Sequence, residues 1–460
     1  MYQVNFDQPQ KVFFIGIGGI SMSGLAEILL DRGFEVYGSD RDITPITNRL
    51  VSKGATIYQG HDENHIHNDL SFIVYTAAIK KDNPEYMQGV SLAIPLISRA
   101  ELLGQVMAHY KYSVGVAGTH GKTTTTSMVA HIFENCDIDA TISVGGILKL
   151  IDGNIKVGSS DYFVTEACEY ANSFLEFKPF IGIVLNIDED HLDFFKDLDD
   201  IRHSFLTYLG NIPKNGYAII NSAALKETDL YDNLECNTVT FGLSEVDSDY
   251  YPKNVSYNAF GLGSYEFYHH DTHLCTVHLK TTGEHNVLNS LSAMTMAHLL
   301  GLDLDQAAIG LSTFSGANRR FEYKGDLGGV TIIDDYAHHP SEIEATINAA
   351  KKIVKNKLWI VFQPHTYTRT IRFLEDFARV LAKADGIILT DIYAAREKDE
   401  HTVHSKDLLK AINSLNPNVA YIPSFDDVQV FILSHCVPND LLITMGAGNV
   451  FLIGEDILNS

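Results

Sequence analysis

Short apolar runs alternate with stretches of helical period along most of the chain. Residues 11–18, KVFFIGIG, form an unbroken apolar run of strand length. MSGLAEILLDRG behind them repeats its apolar positions at the helical interval. FEVYGSD and SFIVYTAA carry the strand signature again. Strands this apolar are buried on both faces, as in a parallel sheet covered by helices. The series lapses near HYKYSV and resumes at YSVGVAG, with YFVTEA, FIGIVLNI and YAIIN as further strands and a helix over about 198–209. Between about 237 and 283 the texture changes. TVTFG, YEFYHH and CTVHLKTTG are short and partly alternating, which predicts antiparallel strands added to the α/β core. GEHNVLNSLSAMTMAHLLG returns to the helical period. After NRRFEY a third series follows, with strands VTIIDDYA, LWIVFQP, GIILTDI and LLITMGAG.

The chain of 460 residues exceeds what one hydrophobic core supports. The pattern divides it into three α/β domains, over 1–109, 110–321 and 322–460. A net charge of −24 and the absence of a basic run disfavour nucleic acid and anionic membrane as partners. Five scattered cysteines without a CxxC pair predict neither a zinc site nor a disulfide framework. The polar start MYQVNFDQPQ has no apolar signal core, and no apolar run reaches the roughly 20 residues of a membrane span. A cytoplasmic protein is the expectation.

Three strand ends carry candidate chemistry. Gly16, Gly18, Gly19 and Ser21 follow the first strand, where glycines let a backbone approach a pyrophosphate. Asp40 ends the second strand, where an acid would meet a ribose hydroxyl. Ser21 stands at the last glycine of GxGxxG, so a dinucleotide cradle and a tight strand–helix turn both stay open here. The second site is Gly118-Thr119-His120-Gly121-Lys122-Thr123-Thr124. It resembles a P-loop except that Val116 holds the position of the first glycine. Lys122 is placed to reach a terminal phosphate and Thr123 to hold Mg²⁺. Glu166 and His191 follow later strands of the same series, on the edge that a parallel sheet shares with the phosphate loop, and suit a metal near that phosphate. Histidine is a soft partner for Mg²⁺, so Mn²⁺ is admitted as well. Asp188, Asp190 and Asp193 read as helix-start acids. The third site joins Asp334-Asp335-Tyr336-Ala337-His338-His339-Pro340 to Gln363-Pro364-His365-Thr366-Tyr367-Thr368-Arg369. The fork of Arg369 suits a carboxylate, and His338 and His339 read as polar or capping groups in preference to metal ligands.

In chain order, GIGGISMSGLAEILL with GSD, AGTHGKTTTT, EACEY, NIDEDHLD, EHNVLNSLSA, NRRFE, DDYAHHPSEI, FQPHTYTRT and MGAGNV resemble the Mur ligase family over nearly the whole chain. The resemblance implies a Rossmann-like N-terminal domain for a UDP-sugar, a P-loop ATPase central domain with added antiparallel strands, and a Rossmann-like C-terminal domain for an amino acid. The first glycine loop, with Ser39 and Asp40, would then cradle the UDP pyrophosphate. By the same resemblance Gly118 to Thr124 bind ATP, and Thr123, Glu166 and His191 hold Mg²⁺. His285, Asn286 and Asn289 match a segment near adenine, Arg320 an arginine reaching the phosphates, and Asp335 a position near the ribose. Tyr336, His338 and Arg369 match residues near the incoming amino acid.

DYAHHP with FQPH, Tyr367 and Arg369 most resembles the family members that add the first amino acid of the peptidoglycan stem. The implied reaction joins L-alanine to UDP-N-acetylmuramate with ATP through an acyl phosphate, in the bacterial cytoplasm, by a monomer or homodimer. His191 and His338 are the candidate bases. Relatives with FQPHRYTR carry an arginine where this chain has Thr366, which leaves the carboxylate contact to Arg369. Relatives adding later residues use a carbamylated lysine, and none is placed here. The other readings are a nicotinamide oxidoreductase on the first loop, an ATP-driven switch or motor, and a ligase taking a tripeptide.

Overall fold

The computed structural model describes residues 2–76, 79–191, 194–225, 234–258, 261–316, 319–395, 397–399 and 401–459; Asp193 falls outside them. Among the described residues the strands form three sheets. The first contains β1 (Lys11–Ile15), β2 (Glu35–Asp40), β3 (Thr56–Gln59), β4 (Phe72–Tyr75) and β5 (Leu96–Ser98) in the order β3-β2-β1-β4-β5. All its pairings are parallel. Ile15 stands opposite Ser39 and Tyr75, and Tyr75 opposite Ser98. The segments leaving β1, β2, β4 and β5 therefore emerge along one edge, with the order reversing at β1.

The second sheet is built from β6 (Tyr112–Ala117), β7 (Thr141–Leu148), β8 (Gly153–Lys156), β9 (Tyr162–Glu166), β10 (Ile181–Val184), β11 (Tyr217–Asn221), β12 (Asn237–Phe241), β13 (Tyr250–Tyr257), β14 (Leu262–His269) and β15 (Thr272–Thr282). Their order is β15-β14-β13-β12-β11-β10-β6-β9-β7-β8. Val116 of β6 faces Glu166, and Ala117 faces Val184, so the ends of β6, β9 and β10 lie together. The added strands need one correction. TVTFG, expected among antiparallel strands, forms β12 and pairs in parallel with β11. The first two residues of β12 are exposed, so it lacks the continuous apolar run that marks a fully buried parallel strand. The antiparallel hairpin β7–β8 was not legible in its glycine-rich sequence.

The third sheet holds β16 (Glu322–Leu327), β17 (Val330–Asp335), β18 (Leu358–Phe362), β19 (Gly386–Leu389), β20 (Val419–Tyr421) and β21 (Leu441–Met445), ordered β16-β17-β21-β18-β19-β20. Met445 stands between Asp335 and Phe362, so three loops leave one edge side by side. β16 pairs antiparallel with β17; its polar sequence EYKGDL hid it from the apolar pattern.

The architecture is three α/β domains, of which two share a core. One buried cluster runs from Val12 and Phe14 of the first sheet to Phe163 and Val184 of the second. Accordingly, Met1–Lys253, Glu266–Val277 and Leu288–Thr313 form one compact unit. Asn254–Tyr265, His278–Val287 and Phe314–Ser460 form the other. Inside the first unit the helix Arg99–Met107 packs tightly on the 3-10 segment Tyr170–Glu176: a Cβ on Gly104 would lie 2.2 Å from the Glu176 carbonyl oxygen. All five cysteines are free thiols. No helix among the described residues is long and apolar enough to cross a membrane.

His131, 9% exposed in the helix Lys122–Asn135, lies with Nδ1 2.8 Å from the Thr313 hydroxyl. Burial pulls its pKa from 6.5 down to about 4. The unfolded chain therefore takes up this proton first as pH falls. Stability should decline between about pH 6.5 and 4, by about 1.4 kcal/mol per pH unit for one proton. His131→Gln should flatten that decline, and urea unfolding at neutral pH and at about pH 5 measures it. Equal slopes in both proteins would count against the assignment.

Candidate active site

The first glycine loop turns tightly between β1 and the helix Ile20–Asp31. Gly16 has φ +81, and its N–H donates to the Ser39 carbonyl at 2.9 Å. The Gly18 N–H donates to Oδ2 of Asp40 at 2.8 Å, so the Asp40 carboxylate is turned onto the loop. Gly19 is the N-cap, and no side chain caps the helix there. Ser21 accepts a bond from Nη1 of Arg99 at 2.8 Å. The Ser39 hydroxyl donates to Oε2 of the fully buried Glu85 at 2.6 Å. His61 and His65 approach the same carboxylate through Nδ1, at 2.7 and 2.8 Å. Two histidines and a hydroxyl thus give one buried acid beside the loop its hydrogen-bond partners.

The second loop joins β6 to the helix that begins at Lys122. Gly118 and Gly121 adopt φ +145 and +86, which favour glycine. A Cβ on Gly121 would lie 2.8 Å from Oδ1 of Asn289, so Asn289 borders the loop directly. Val116 is a residue of β6, which explains the missing first glycine: the loop begins only at Gly118. Asn186 clamps the loop, accepting from the His120 N–H at 2.8 Å and donating to the His120 carbonyl at 3.1 Å. The Thr119 hydroxyl accepts from the Asp188 N–H at 2.9 Å, and the helix N-cap is Gly121. Thr123 is half-buried at the first turn, and Thr124 is buried.

Lys122 is folded into this loop. Its ammonium donates to the carbonyls of Gly118 and Thr119 at 2.5 and 3.0 Å, and to Oε2 of Glu169 at 2.9 Å. Burial opposes the charge, but Glu169, aided by Cys168 and Glu166, more than offsets it and raises the ammonium pKa. His191 has φ +53 and brings Nε2 to 3.8 Å from Oε1 of Glu169. Glu166, at the end of β9, accepts the Gly145 N–H of β7 at 2.6 Å. The same hairpin reaches the first loop: Asn154 donates to the Ile20 carbonyl at 2.8 Å, and Ile155 would touch any Cβ on Gly24. No group of three or more His, Cys, Asp or Glu is gathered as a metal site among the described residues. The Thr123 hydroxyl and the Glu166 carboxylate are nevertheless hard oxygen donors of the kind Mg²⁺ takes.

In the second unit, Asp335 is buried. Its Oδ1 accepts the Ala337 N–H at 2.7 Å and its Oδ2 the Phe321 N–H at 2.8 Å. Burial raises its pKa to about 6, against the opposing charge of Arg320. Arg320 lies over the Tyr336 ring at 5.2 Å and 3.5 Å from Oε1 of Glu342. Arg319 spends its fork on Asp334 and on the carbonyls of Gly446 and Gly448, tying the loop after β21 to β17. His285 is held near pKa 4 by burial, with Arg320 and Lys352 adding to the effect. Asn286 donates to the Thr282 carbonyl at 2.8 Å. The His338 ring faces the Tyr336 carbonyl through Nδ1 at 3.0 Å, and burial lowers its pKa to about 3. His339 caps the helix Pro340–Lys351, the role its sequence suggested. Arg369 lies with Nη1 3.0 Å from Nδ1 of His365, whose ring is 5.5 Å from that of His338.

Three family descriptions match in succession: "Mur ligase family, catalytic domain" over 11–111, "Mur ligase middle domain" over 116–297 and "Mur ligase, glutamate ligase domain" over 319–448. The UDP-N-acetylmuramate--L-alanine ligase of Agathobacter rectalis is 49% identical over 458 residues, covering 100% of both chains. The chain belongs to the Mur ligase family. The corresponding ligase of Clostridium acetobutylicum is 48% identical over 100% of this chain and 99% of its own. The crystal structure of UDP-N-acetylmuramate-alanine ligase from Thermotoga maritima superposes with a TM-score of 0.79, at 27% identity over 98% of each chain. A murein peptide ligase from Psychrobacter arcticus gives 0.72, at 26% identity over 98% of each chain.

Sequence reasoning passed over four side chains of this Mur ligase: Glu169, Asn186, Glu85 and Arg99. Glu169 had a visible signal, the second acid of EACEY, but its role depends on a turn. Ala171 and Asn172 both adopt positive φ where the chain swings away after it. Removing one partner of a buried ion pair leaves the other charge uncompensated. Glu169→Ala should therefore cost on the order of 3 kcal/mol of stability. Adding Lys122→Met to that variant should restore part of the loss. Urea unfolding of the single and double variants measures this, and strictly additive losses would contradict it. Thr366 has φ +62 and ψ 148, a region almost reserved for glycine. Thr366→Gly should stabilise the protein by roughly 1 kcal/mol, seen as a higher urea midpoint.

Proposed function

We propose that this Mur ligase joins L-alanine to the lactyl carboxylate of UDP-N-acetylmuramate, converting ATP to ADP and phosphate. The observation that carries this reading is the 49% identity, along the whole chain, to a UDP-N-acetylmuramate--L-alanine ligase. The first glycine loop would take the UDP-sugar, the loop from Gly118 to Thr124 the ATP phosphates, and the loops around Tyr336, His338 and Arg369 the alanine. His285, Asn286, Asn289, Arg320 and Asp335 would serve the nucleotide. On this reading the domains divide at about residues 110 and 322. Nucleotide substrates of this kind place the reaction in the cytoplasm.

A carboxylate has no useful leaving group. Transfer of the γ-phosphoryl group from ATP to a lactyl oxygen releases ADP and leaves an acyl phosphate. The alanine amine then attacks the acyl carbon, loses a proton, and phosphate departs with the former carboxylate oxygen. Both steps concentrate negative charge, which Lys122 is built to offset once it turns from the loop carbonyls to phosphate oxygens. Thr123 and Glu166 would hold Mg²⁺, with His191 at its side, and the ion when bound supplies further positive charge. Glu169 holds Lys122 at 2.9 Å and lies 3.8 Å from Nε2 of His191. His338, with a pKa near 3, is poorly matched to taking a proton from the amine; neutral, it suits orienting the amino acid through a hydrogen bond.

Phosphate release from ATP with UDP-N-acetylmuramate, Mg²⁺ and L-alanine should exceed that with glycine, serine or the stem tripeptide. Preference for the tripeptide would favour a murein peptide ligase instead. Lys122→Ala should lower turnover by at least about 100-fold. Glu166→Ala should raise the Mg²⁺ concentration needed for half-maximal rate; an unchanged requirement would remove Glu166 from the metal site.

A further inference from the structure

We propose that Arg99 receives an oxyanion of the UDP-sugar substrate, beside Ser21 at the first glycine loop. The inference rests on the substrate reading above and adds a residue to it.

Arg99 opens the helix Arg99–Met107, directly after β5. Ser98 stands opposite Tyr75, and Tyr75 opposite no other strand than β1 and β5, so Arg99 leaves the sheet on the edge that carries Gly16 and Asp40. The one hydrogen bond of its side chain among the described residues runs from Nη1 to the Ser21 hydroxyl at 2.8 Å. No carboxylate pairs with it among the described residues, although the chain carries 58 acidic residues against 34 basic ones. The side chain is partly buried, and burial lowers its pKa while Cys168 opposes the shift.

The electrostatic influence of Cys168 brings the EACEY segment into the neighbourhood of the guanidinium. Cys168 precedes Glu169, whose carboxylate holds Lys122. The close packing of Gly104 on Glu176 keeps this helix against the segment that follows Glu169. Arg99 therefore joins the loop that would take the pyrophosphate, through Ser21, to a helix packed on the segment that follows Glu169, the partner of Lys122. A desolvated guanidinium without an acidic partner is costly in an empty site and becomes favourable when an oxyanion arrives. Its planar fork fits both oxyanions that this substrate carries, the pyrophosphate and the lactyl carboxylate.

The test compares wild type, Arg99→Gln and Arg99→Lys as full-length proteins, by calorimetric titration with uridine, UDP, UDP-N-acetylglucosamine and UDP-N-acetylmuramate. Arg99→Gln should weaken UDP-N-acetylmuramate binding by about 10- to 100-fold, with Arg99→Lys between it and wild type. Uridine binding and the KM for ATP should stay unchanged. Parallel losses for UDP and both UDP-sugars would assign the contact to the pyrophosphate, and a loss confined to UDP-N-acetylmuramate would assign it to the carboxylate; either supports the proposal. An equal loss for uridine would reveal a structural role and overturn it, as would unchanged binding of all four ligands. If Arg99→Gln fails to fold, Arg99→Lys and Ser21→Ala carry the same comparison. Wild type that binds none of the UDP compounds would overturn the substrate reading itself, and the role of Arg99 with it.

Discussion

Parallel hydrogen-bond register is the constraint on which the rest of this structure depends. Each sheet aligns the ends of strands separated by helices or by whole strands: Ile15 with Ser39 and Tyr75, Val116 with Glu166, and Asp335 with Met445. Side chains far apart in sequence thereby reach one edge without any long excursion of the chain. The chemistry-bearing loops are short because the ladder does the gathering. A one-residue slip in any of these pairings would turn buried faces outward and separate the loops at once.

Charge is handled in the same economical manner near those edges. Lys122 meets Glu169, Arg319 meets Asp334, and Glu85 meets two histidines and a serine. Ions removed from water need such partners, since a lone buried charge is strongly unfavourable. Asp335 solves the problem differently, with backbone N–H donors and a pKa raised to about 6 by burial. Arg99 departs from the pattern, which is why it stands out.

Much of this was legible in the sequence because it is local. Strand runs, glycine loops, the phosphate-loop lysine and the His339 cap all follow from neighbours within a few residues. The Val116 anomaly was also soluble once β6 was seen to extend through Ala117. What escaped depends on distant partners. β12 is parallel because of β11, and β16 exists because of β17. Glu169 matters because a turn aims it back at Lys122, and Asp40 accepts the Gly18 N–H of the glycine loop. Spacing alone does not encode which acid a lysine will choose.

The β7–β8 hairpin has a mechanical meaning. Gly145 on one strand holds the Glu166 carboxylate; Asn154, across from that stretch on the other strand, holds the Ile20 carbonyl at the start of the helix behind the first glycine loop. Its two strands are paired on both sides of an irregularity between Ser143 and Leu148, so both anchors belong to one hairpin. The helix start and the acid are thus tied to the same short piece of chain. Whatever free energy couples the two loops through this hairpin must act equally in both directions.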